Sequence, residues 1–368
     1  MKVLHTGDLH LGMKHTSRNY PEALRQMLQE ARFAVLEKLV ETANRENCQL
    51  FVVAGDLFHT QTVGKEAVLQ AAGILGRFEG NCVVVLPGNH DYYSEGSQLW
   101  KVFTENCPEQ VLLLKNTEAY CLQDYDLDAV LYPAPCDRKH SAENRVSWIK
   151  ELAGRPEATW HFGVAHGTVL GISPDLDGRY FPMERGELLN AGLDHWFLGH
   201  THVCHPEAEP AENCGFAYCG TPEPDGFDCG HQGYAWLREF TAGGSVSRLL
   251  RTGIYHFRDV ACEIKSLEEL TPFMAQAGGE TVLMKLAVSG VVPRDEYKVR
   301  GAFFRELAEK VACLELDDGA LGMAVTENVI SEEFPAGSFP ELFLSALAGR
   351  GNPEALQLAY ELVKKVKK

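Results

Sequence analysis

The fold is decided by residues 50–59, which read Leu50-Phe51-Val52-Val53-Ala54-Gly55-Asp56-Leu57-Phe58-His59. The first five residues form an unbroken apolar run, which predicts a β-strand that is buried on both faces. Such strands are typical of α/β proteins, in which helices cover the sheet. The run stops at Gly55-Asp56, so the pattern places a carboxylate at the carboxyl end of a buried strand.

Four more predicted strands end in the same way, at a glycine beside Asp, Asn or His. Predicted helices over 21–47 and 64–78 connect the first three strands of the series. In open α/β sheets, ligands bind beyond the carboxyl ends of strands. The series therefore predicts one shared site at five strand ends. The other four strands and the residues that follow them are 2–6 before Gly7-Asp8, 82–86 before Pro87-Gly88-Asn89-His90-Asp91, 160–165 before His166-Gly167, and 195–198 before Gly199-His200-Thr201-His202.

The candidate site residues offer oxygen and nitrogen donors in the right proportion for divalent metal ions. Asp8 and His10 are two residues apart, so in an extended segment both project to one side. Asp56 has two carboxylate oxygens and is able to bridge two cations. The mixture suits a pair of ions such as Mn²⁺, Fe²⁺ or Zn²⁺, which together can hydrolyse a phosphodiester. The seven predicted donors are Asp8, His10, Asp56, Asn89, His166, His200 and His202.

Two further histidines, His59 and His90, flank these donors. Histidine suits contact with a phosphate oxygen or protonation of a leaving oxygen, because its ordinary pKa lies near neutrality. Asp91 follows directly and is predicted to orient the His90 ring, as carboxylates beside catalytic or ligating histidines do. We therefore interpret all three as candidate catalytic residues.

The motif series resembles that of the calcineurin-like metallophosphoesterases in order, residue type and strand context. Within that superfamily, Gly-Asp-Leu-Phe-His at 55–59 resembles the SbcD and YhaO type of DNA-repair exonuclease, and Gly12 and Gly220-Thr221-Pro222 fit this type as well. The resemblance covers residues 1 to about 235. It implies a layered α/β fold, in which a β-sandwich is flanked by helices and followed by a small α/β capping domain.

The resemblance also assigns roles by position. The first metal ion would be held by Asp8, His10, Asp56 and His202. The second ion would be held by Asp56, Asn89, His166 and His200. His59 and His90 would face the phosphate, Mn²⁺ would be the working metal, and the chain would form a dimer that acts on DNA with an SbcC-like coiled-coil ATPase.

Domain boundaries follow from a change of composition near 241–254, which includes Gly243-Gly244-Ser245. Turn-forming glycines at this position predict the end of a catalytic domain over 1–250. Alternating strand and helix patterns then predict the small α/β domain over 255–330. Residues 336–368 are predicted to form two short helices, whose apolar surface either docks a partner or packs on the chain's own capping domain.

Composition indicates the class of protein and the cellular compartment that we expect for it. Of the 368 residues, 45 % are hydrophobic and 23 % are charged, which is ordinary for a globular protein. No run approaches the roughly 20 apolar residues of a membrane span, and the first residues turn polar too early for a signal peptide. We therefore expect a cytoplasmic protein without a membrane interaction, whose 11 cysteines are reduced thiols.

The net charge of −17 is unfavourable for DNA binding, because phosphate contacts usually come from Lys and Arg. Binding would then depend on bound cations, a local basic patch or a partner. A phosphomonoesterase or nucleotide phosphodiesterase of the same superfamily is the alternative, although its protein phosphatases have Gly-Asp-x-x-Asp-Arg where this chain has Gly-Asp-Leu-Phe-His. A scaffold without activity is less consistent with seven filled ligand positions.

Two smaller features leave alternatives open. Cys204, Cys214, Cys219 and Cys229 follow the last predicted ligand at spacings of 10, 5 and 10 residues, without a Cys-x-x-Cys motif. They are interpreted as ordinary thiols, with a third metal site as the alternative. Tyr92 and Tyr93 beside the site either stack on a nucleotide base or pack locally.

Overall fold

The computed structural model describes residues 1–173, 177–207 and 214–366. Contacts divide the chain into two compact units, Met1–His256 and a second unit that begins at Phe257. The strands of the first unit are β1 Lys2–Thr6, β2 Leu50–Ala54, β3 Cys82–Leu86, β4 Val111–Leu113, β5 Tyr120–Cys121, β6 Ala129–Ala134, β7 Trp160–His166, β8 His195–Gly199, β9 Cys204–His205, β10 Phe216–Cys219, β11 Tyr234–Thr241 and β12 Gly244–Arg251. Its helices are α1 Glu22–Arg45, α2 Lys65–Leu75, α3 Gln98–Asn106 and α4 Arg185–Asn190.

The strands of the first unit form two six-stranded mixed sheets. The first sheet has the order β12-β11-β1-β2-β3-β4, and the second has the order β5-β6-β7-β8-β10-β9. The predicted strands β1, β2 and β3 are parallel neighbours in the first sheet, and β7 and β8 are parallel neighbours in the second. Parallel pairing brings their carboxyl ends to the same edge of each sheet, as the series of motifs predicted.

Strand alternation explains why the two sheets stack. In β2, Leu50, Val52 and Ala54 point into a core shared with residues of the second sheet such as Phe162 and Phe197. The intervening residues of β2 point the other way, into a core that the sheet shares with α1, α2 and α3. Because successive strand side chains face opposite sides, a continuous apolar run fills two cores at once. The result is a β-sandwich with helices outside it, which confirms the predicted fold class.

The glycines at 243 and 244 form a turn instead of a domain boundary. Strands β11 and β12 pair antiparallel in register from Tyr234↔Arg251 to Thr241↔Gly244, so the glycines close a β-hairpin. The change of composition near 241–254 therefore includes a hairpin turn, for which glycine is a favoured residue. The hairpin extends the first sheet beyond β1, and the division between units lies at His256 and Phe257.

The second unit is a three-stranded sheet followed by three helices. The sheet has the order β13-β14-β15, with β14 and β15 parallel, and helices α5 and α6 contribute to its core. The last helices share a separate small core that includes Ile330, Leu344 and Tyr360. The elements are β13 His256–Ile264, α5 Leu270–Ala277, β14 Gly279–Val292, α6 Arg294–Ala308, β15 Val311–Met323, α7 Glu327–Glu333, α8 Phe339–Ala348 and α9 Pro353–Val366.

Two observations bear on the expectations drawn from composition. All 11 cysteines lie in the described ranges, and no disulfide joins any of them. Over 1–173, 177–207 and 214–366, no helix combines the length and the apolarity that crossing a bilayer requires.

Candidate metal centre

The loops after the strands hold the predicted ligands in an unusual backbone conformation. Asp8, His10, Asp56 and His200 are non-glycine residues with positive φ, at 53°, 47°, 52° and 102°. Residues held in sparsely populated backbone regions cost on the order of 1–3 kcal/mol each and persist where the surrounding structure over-determines them. Four such residues at one end of the sandwich indicate that this end is built to aim side chains inward.

Two of the motif glycines are needed for close approach. Gly55 has φ +94°, and a Cβ there would lie 2.0 Å from Nδ1 of His166. A Cβ on Gly88 would lie 2.2 Å from Oδ1 of Asp56. Any larger residue at either position would therefore push a predicted ligand out of place.

One group of donors lies around the ends of β1 and the loop after β8. Nε2 of His10 is 3.2 Å from Nε2 of His202, and the latter nitrogen is 3.8 Å from Oδ1 of Asp8. Asp8 and His10 are buried, while the His202 side chain is 33 % exposed. Carboxylate and imidazole atoms of these three residues all fall within 4.8 Å of one another.

A second group lies around the ends of β3, β7 and β8. Oδ1 of Asn89 is 2.9 Å from Nε2 of His166 and 3.1 Å from Nδ1 of His200. The other nitrogen of His166, Nδ1, donates to the carbonyl oxygen of Ala54 at 2.9 Å. That bond fixes the tautomer of His166, so its Nε2 lone pair points at the site.

Asp56 lies between the two groups. Its Oδ2 is 3.6 Å from Nε2 of His10 and 3.4 Å from Nε2 of His166. Its Oδ1 accepts a hydrogen bond from the backbone N–H of His90 at 2.8 Å. The sequence suggested a bridge through both carboxylate oxygens. In the structure a single oxygen faces both groups, because the backbone of the 88–91 loop uses the other one.

Burial and the carboxylates pull the pKa values of these groups in opposite directions. Burial raises the pKa of Asp8 to about 6 and lowers that of His200 to about 3. Burial would also lower the pKa of His166, but the charge of Asp56 and a hydrogen bond to it raise that pKa to about 9. The buried carboxylates thus require a positive charge beside them. A proton supplies it in the metal-free site, and divalent ions compete with protons for such positions.

The fold and the donor groups agree with the comparison to known protein families. A family model described as calcineurin-like phosphoesterase matches residues 1–204, which is more than half of the chain. The chain belongs to this family. The superfamily and fold predicted from the motifs are therefore confirmed, and the family implies a metal-dependent hydrolase.

This calcineurin-like phosphoesterase is similar to individual known proteins at low identity. The uncharacterized metallophosphoesterase YhaO of Bacillus subtilis is 24 % identical over 316 residues, which cover 80 % of this chain and 72 % of YhaO. The DNA double-strand break repair protein Mre11 of Methanopyrus kandleri is 25 % identical over 244 residues, which cover 61 % of this chain and 49 % of Mre11. The alignment thus spans about half of the Mre11 relative.

The donor atoms fit the metal ions that the family implies. Two ligands of one ion, with bonds of about 2.0–2.2 Å at angles of about 90–110°, lie about 2.8–3.6 Å apart. The distances that join His10, His202, Asp56, His166 and Asn89 range from 2.9 to 3.6 Å. Nε2 of His10 also faces Nε2 of His202, a contact that two neutral lone pairs would not make without a proton or a cation between them.

His59 and His90 lie together beside His10. The ring centroid of His10 is 4.9 Å from that of His90 and 5.4 Å from that of His59. Nδ1 of His90 donates to the carbonyl oxygen of His59 at 3.0 Å, which leaves Nε2 of His90 for another partner. Ligand atoms of the three rings also fall within 4.8 Å, so a metal-binding role for them is the alternative to a catalytic one.

The structure corrects the role predicted for Asp91. Its Oδ1 accepts from the backbone N–H of Gly88 at 2.7 Å, and its Oδ2 accepts from that of Phe58 at 2.9 Å. The His90 ring is held by the His59 carbonyl instead. Asp91 is completely buried and joins the 88–91 loop to the loop after β2. It therefore positions two ligand-bearing loops and leaves the orientation of the His90 ring to His59.

Two residues at the site lay outside every motif. The Tyr180 ring stacks beside His200, with centroids 4.8 Å apart. Oδ2 of Asp225 lies 3.2 Å from Nδ1 of His202. No strand-end pattern marks either residue, since both come from loops. The only signal for Asp225 in the sequence was its place shortly after Gly220-Thr221-Pro222, a turn that the sequence linked to the repair-type members of the superfamily.

The structure favours the simpler interpretation of the four cysteines and of Tyr93. Within the described ranges, the thiols of Cys204, Cys214, Cys219 and Cys229 do not enter any group of three potential metal ligands, so ordinary thiols are favoured. The Tyr93 ring is half-buried against the helix-side core, which favours packing for that residue.

Proposed function

We propose that this chain is a two-metal phosphodiesterase that hydrolyses DNA. The observation that carries the proposal is the position of Asp56 Oδ2, within 3.6 Å of a donor nitrogen in each of the two groups. One oxygen placed in this way suits a pair of ions that share a ligand. Asp8, His10, Asp56 and His202 would hold one ion, and Asp56, Asn89, His166 and His200 would hold the other.

Two such ions polarise a phosphodiester, activate water and stabilise the leaving oxygen. The chain's own residues supply orientation and a proton. The Nδ1–H of His90 is engaged by the His59 carbonyl, so Nε2 is the atom left to contact a phosphate oxygen or to protonate the leaving oxygen. Asp91 keeps the 88–91 loop against Phe58 and thereby fixes the distance between His90 and Asp56.

DNA is the proposed substrate for two reasons. The Gly-Asp-Leu-Phe-His stretch at 55–59 resembles the repair exonucleases, and the Mre11 relative is a DNA double-strand break repair protein. Mn²⁺ is the proposed working metal, and the proposal includes both exonuclease and endonuclease action. The net charge of −17 opposes polyanion binding and makes a small phosphate ester the main competing substrate.

A substrate panel with Mn²⁺ separates these possibilities. We expect the metal-loaded chain to cut linear duplex, hairpin and single-stranded DNA faster than it hydrolyses a cyclic dinucleotide or p-nitrophenyl phosphate, with no turnover in chelator. Products are measured by gel electrophoresis and by released nitrophenolate. Faster turnover of the phosphomonoester than of every DNA substrate would instead assign the chain to the phosphomonoesterases.

We further propose that a coiled-coil ATPase docks on helices α8 and α9. These helices bury one face against α7, through residues such as Leu344 and Leu356. Their other face leaves apolar side chains exposed, with exposed fractions of 75 % for Phe339, 60 % for Leu358 and 54 % for Leu362. The packing alternative thus describes one face of these helices, and the docking proposal concerns the other face. An apolar helix face suits a partner helix, and a partner would add the DNA affinity that an acidic chain lacks.

Charge substitutions on the exposed face test whether a partner docks there, and they leave the face that packs on α7 unchanged. The double variant Leu358→Glu/Leu362→Glu is expected to abolish the increase in DNA affinity that the ATPase confers at fixed salt. Hydrolysis of a small phosphodiester should not change, because the substitutions lie outside the catalytic unit. Val246→Glu, at a 56 % exposed position of β12, is the matched control. Equal stimulation of both variants by the ATPase would contradict the docking proposal.

A further inference from the structure

His202 differs from the other predicted metal ligands in the partner of its ring. Its Nδ1 lies 3.2 Å from Oδ2 of Asp225, while its Nε2 faces His10 and Asp8. The comparable nitrogen of His166 donates to a backbone carbonyl, and Nδ1 of His10 is buried with no hydrogen-bond partner in the described part of the chain. Among these three rings, only that of His202 has a carboxylate as the partner of its Nδ1 atom.

The loop that carries Asp225 is fixed by buried hydrogen bonds. Oγ1 of Thr221 donates to the carbonyl oxygen of Asp8 at 2.9 Å, so the loop is tied to another predicted ligand. The Glu223 carboxylate is 2 % exposed and accepts from the backbone N–H groups of Ile254 and Tyr255, at 2.6 and 2.9 Å. A carboxylate on such a loop can hold a ring in place at little cost in side-chain entropy.

The same loop also holds the backbone of His202. Nε2 of His231 donates to the carbonyl oxygen of His202 at 2.6 Å, and Tyr234 stacks on the His231 ring with centroids 5.0 Å apart. His202 itself lies on a loop and is 33 % exposed, so neither a strand nor the core fixes it. The ring and the backbone of this partly exposed predicted ligand are therefore both held by residues 221–231.

We infer that Asp225 is a positioning residue for the metal site: it accepts the Nδ1–H of His202, fixes the tautomer that leaves Nε2 free, and strengthens divalent-metal binding at the position formed by Asp8, His10 and His202. A carboxylate behind a ligating histidine sets the orientation of the ring and raises its basicity, and loss of such a partner typically lowers metal affinity about 10–100-fold. The inference rests on the metal site of the proposed function and is independent of whether the substrate is DNA.

A competing explanation is that Asp225 only neutralises the buried guanidinium of Arg32, whose charge acts on it. In that case loss of the carboxylate would lower the stability of the metal-free chain and leave metal affinity unchanged. The two roles therefore differ in measurements that need no substrate.

The test is Mn²⁺ binding to the metal-free full chain, followed by the electron paramagnetic resonance signal of free Mn²⁺. For Asp225→Asn we expect one of two binding steps to weaken about 10–100-fold, with a larger loss for Asp225→Ala, which also removes the acceptor. Asp228→Asn makes the same charge change three residues away at an exposed position and should bind both ions normally. In a His202→Ala background, Asp225→Asn should have no further effect, since the carboxylate acts through that ring.

Unchanged Mn²⁺ binding by Asp225→Asn and Asp225→Ala would overturn the inference, and so would an equal further loss in the His202→Ala background. If the metal-free variants had a lower melting temperature and unchanged Mn²⁺ affinity, the role of Asp225 would be to neutralise Arg32. If Asp225→Asn weakened Mn²⁺ binding as expected and the unmodified chain did not cut DNA, the inference would stand and the proposed substrate would be rejected.

Discussion

Replacing Asp56 with alanine is expected to abolish metal-dependent hydrolysis, with a loss of about 10³-fold or more. Its Oδ2 faces donor nitrogens of both His10 and His166, at 3.6 and 3.4 Å. Two-metal catalysis contributes several kcal/mol of transition-state stabilisation, and each 1.4 kcal/mol is tenfold in rate. Both Mn²⁺ occupancy, by elemental analysis after gel filtration, and turnover should therefore fall together.

The matched control for this variant is Asp194→Ala. Asp56 also accepts a backbone N–H bond, from His90, so its loss weakens a loop as well as a ligand group. Asp194 accepts a comparable bond from the N–H of His161 at 2.7 Å, at the opposite end of β7 and β8. Asp194→Ala should keep both ions and full turnover. If Asp56→Ala still held two ions per chain, the shared-ligand arrangement would be wrong.

His90→Ala is expected to keep both ions and to lower turnover by roughly 10²–10⁴-fold, the usual contribution of a positioned acid or base. The His90 side chain is held through Nδ1 by the His59 carbonyl, while its backbone N–H, which survives the substitution, still bonds to Asp56. The variant thus removes the ring and preserves the bridging carboxylate. Turnover of a phosphodiester and Mn²⁺ content are the two measurements.

The alternative role of His90 gives a different pattern. His10, His59 and His90 are close enough for their rings to share an ion. If His90 were a ligand, the Mn²⁺ content of His90→Ala would fall in proportion to its turnover. His161→Ala, at the far end of β7, is the control for loss of a half-buried histidine and should retain both metals and rate. Full activity of His90→Ala would exclude any role in the chemical step.

The strand-end motifs predicted which side chains come together, because one physical rule generates these motifs. A strand buried on both faces must be apolar throughout, and parallel neighbours place their carboxyl ends together. Asp56, Asn89 and His166 were therefore identifiable from the runs that precede them. The structure brings all seven predicted donors to one end of the sandwich, although their function as ligands stays a prediction until metal binding is measured.

The residues that the sequence did not reveal act across long distances in the chain. Asp225 meets His202 from a loop 23 residues away, and Tyr180 reaches His200 from a loop before α4. Asp91 was assigned to its neighbour His90, yet buried backbone N–H groups 3 and 33 residues away bind its two oxygens. Periodicity and spacing describe local structure, whereas these contacts depend on how loops cross one another.

Prediction of the fold from the sequence is also limited at the β11–β12 hairpin and in the second unit. Gly243 and Gly244 signal a turn, but the composition of a tight hairpin turn and of an interdomain linker is similar. In the second unit, β14 has 14 residues and β15 has 13. Their ends carry exposed and half-buried residues, so apolarity alone could not define them.

The most direct test of the two-metal account is a titration of the metal-free chain with Mn²⁺, in which bound ions and the rate of duplex DNA hydrolysis are measured on the same samples. The account predicts saturation at two ions per chain, little hydrolysis at one ion, full hydrolysis at two, and loss of all activity on chelation. Saturation at one ion or none, or DNA hydrolysis that persists in chelator, would contradict it.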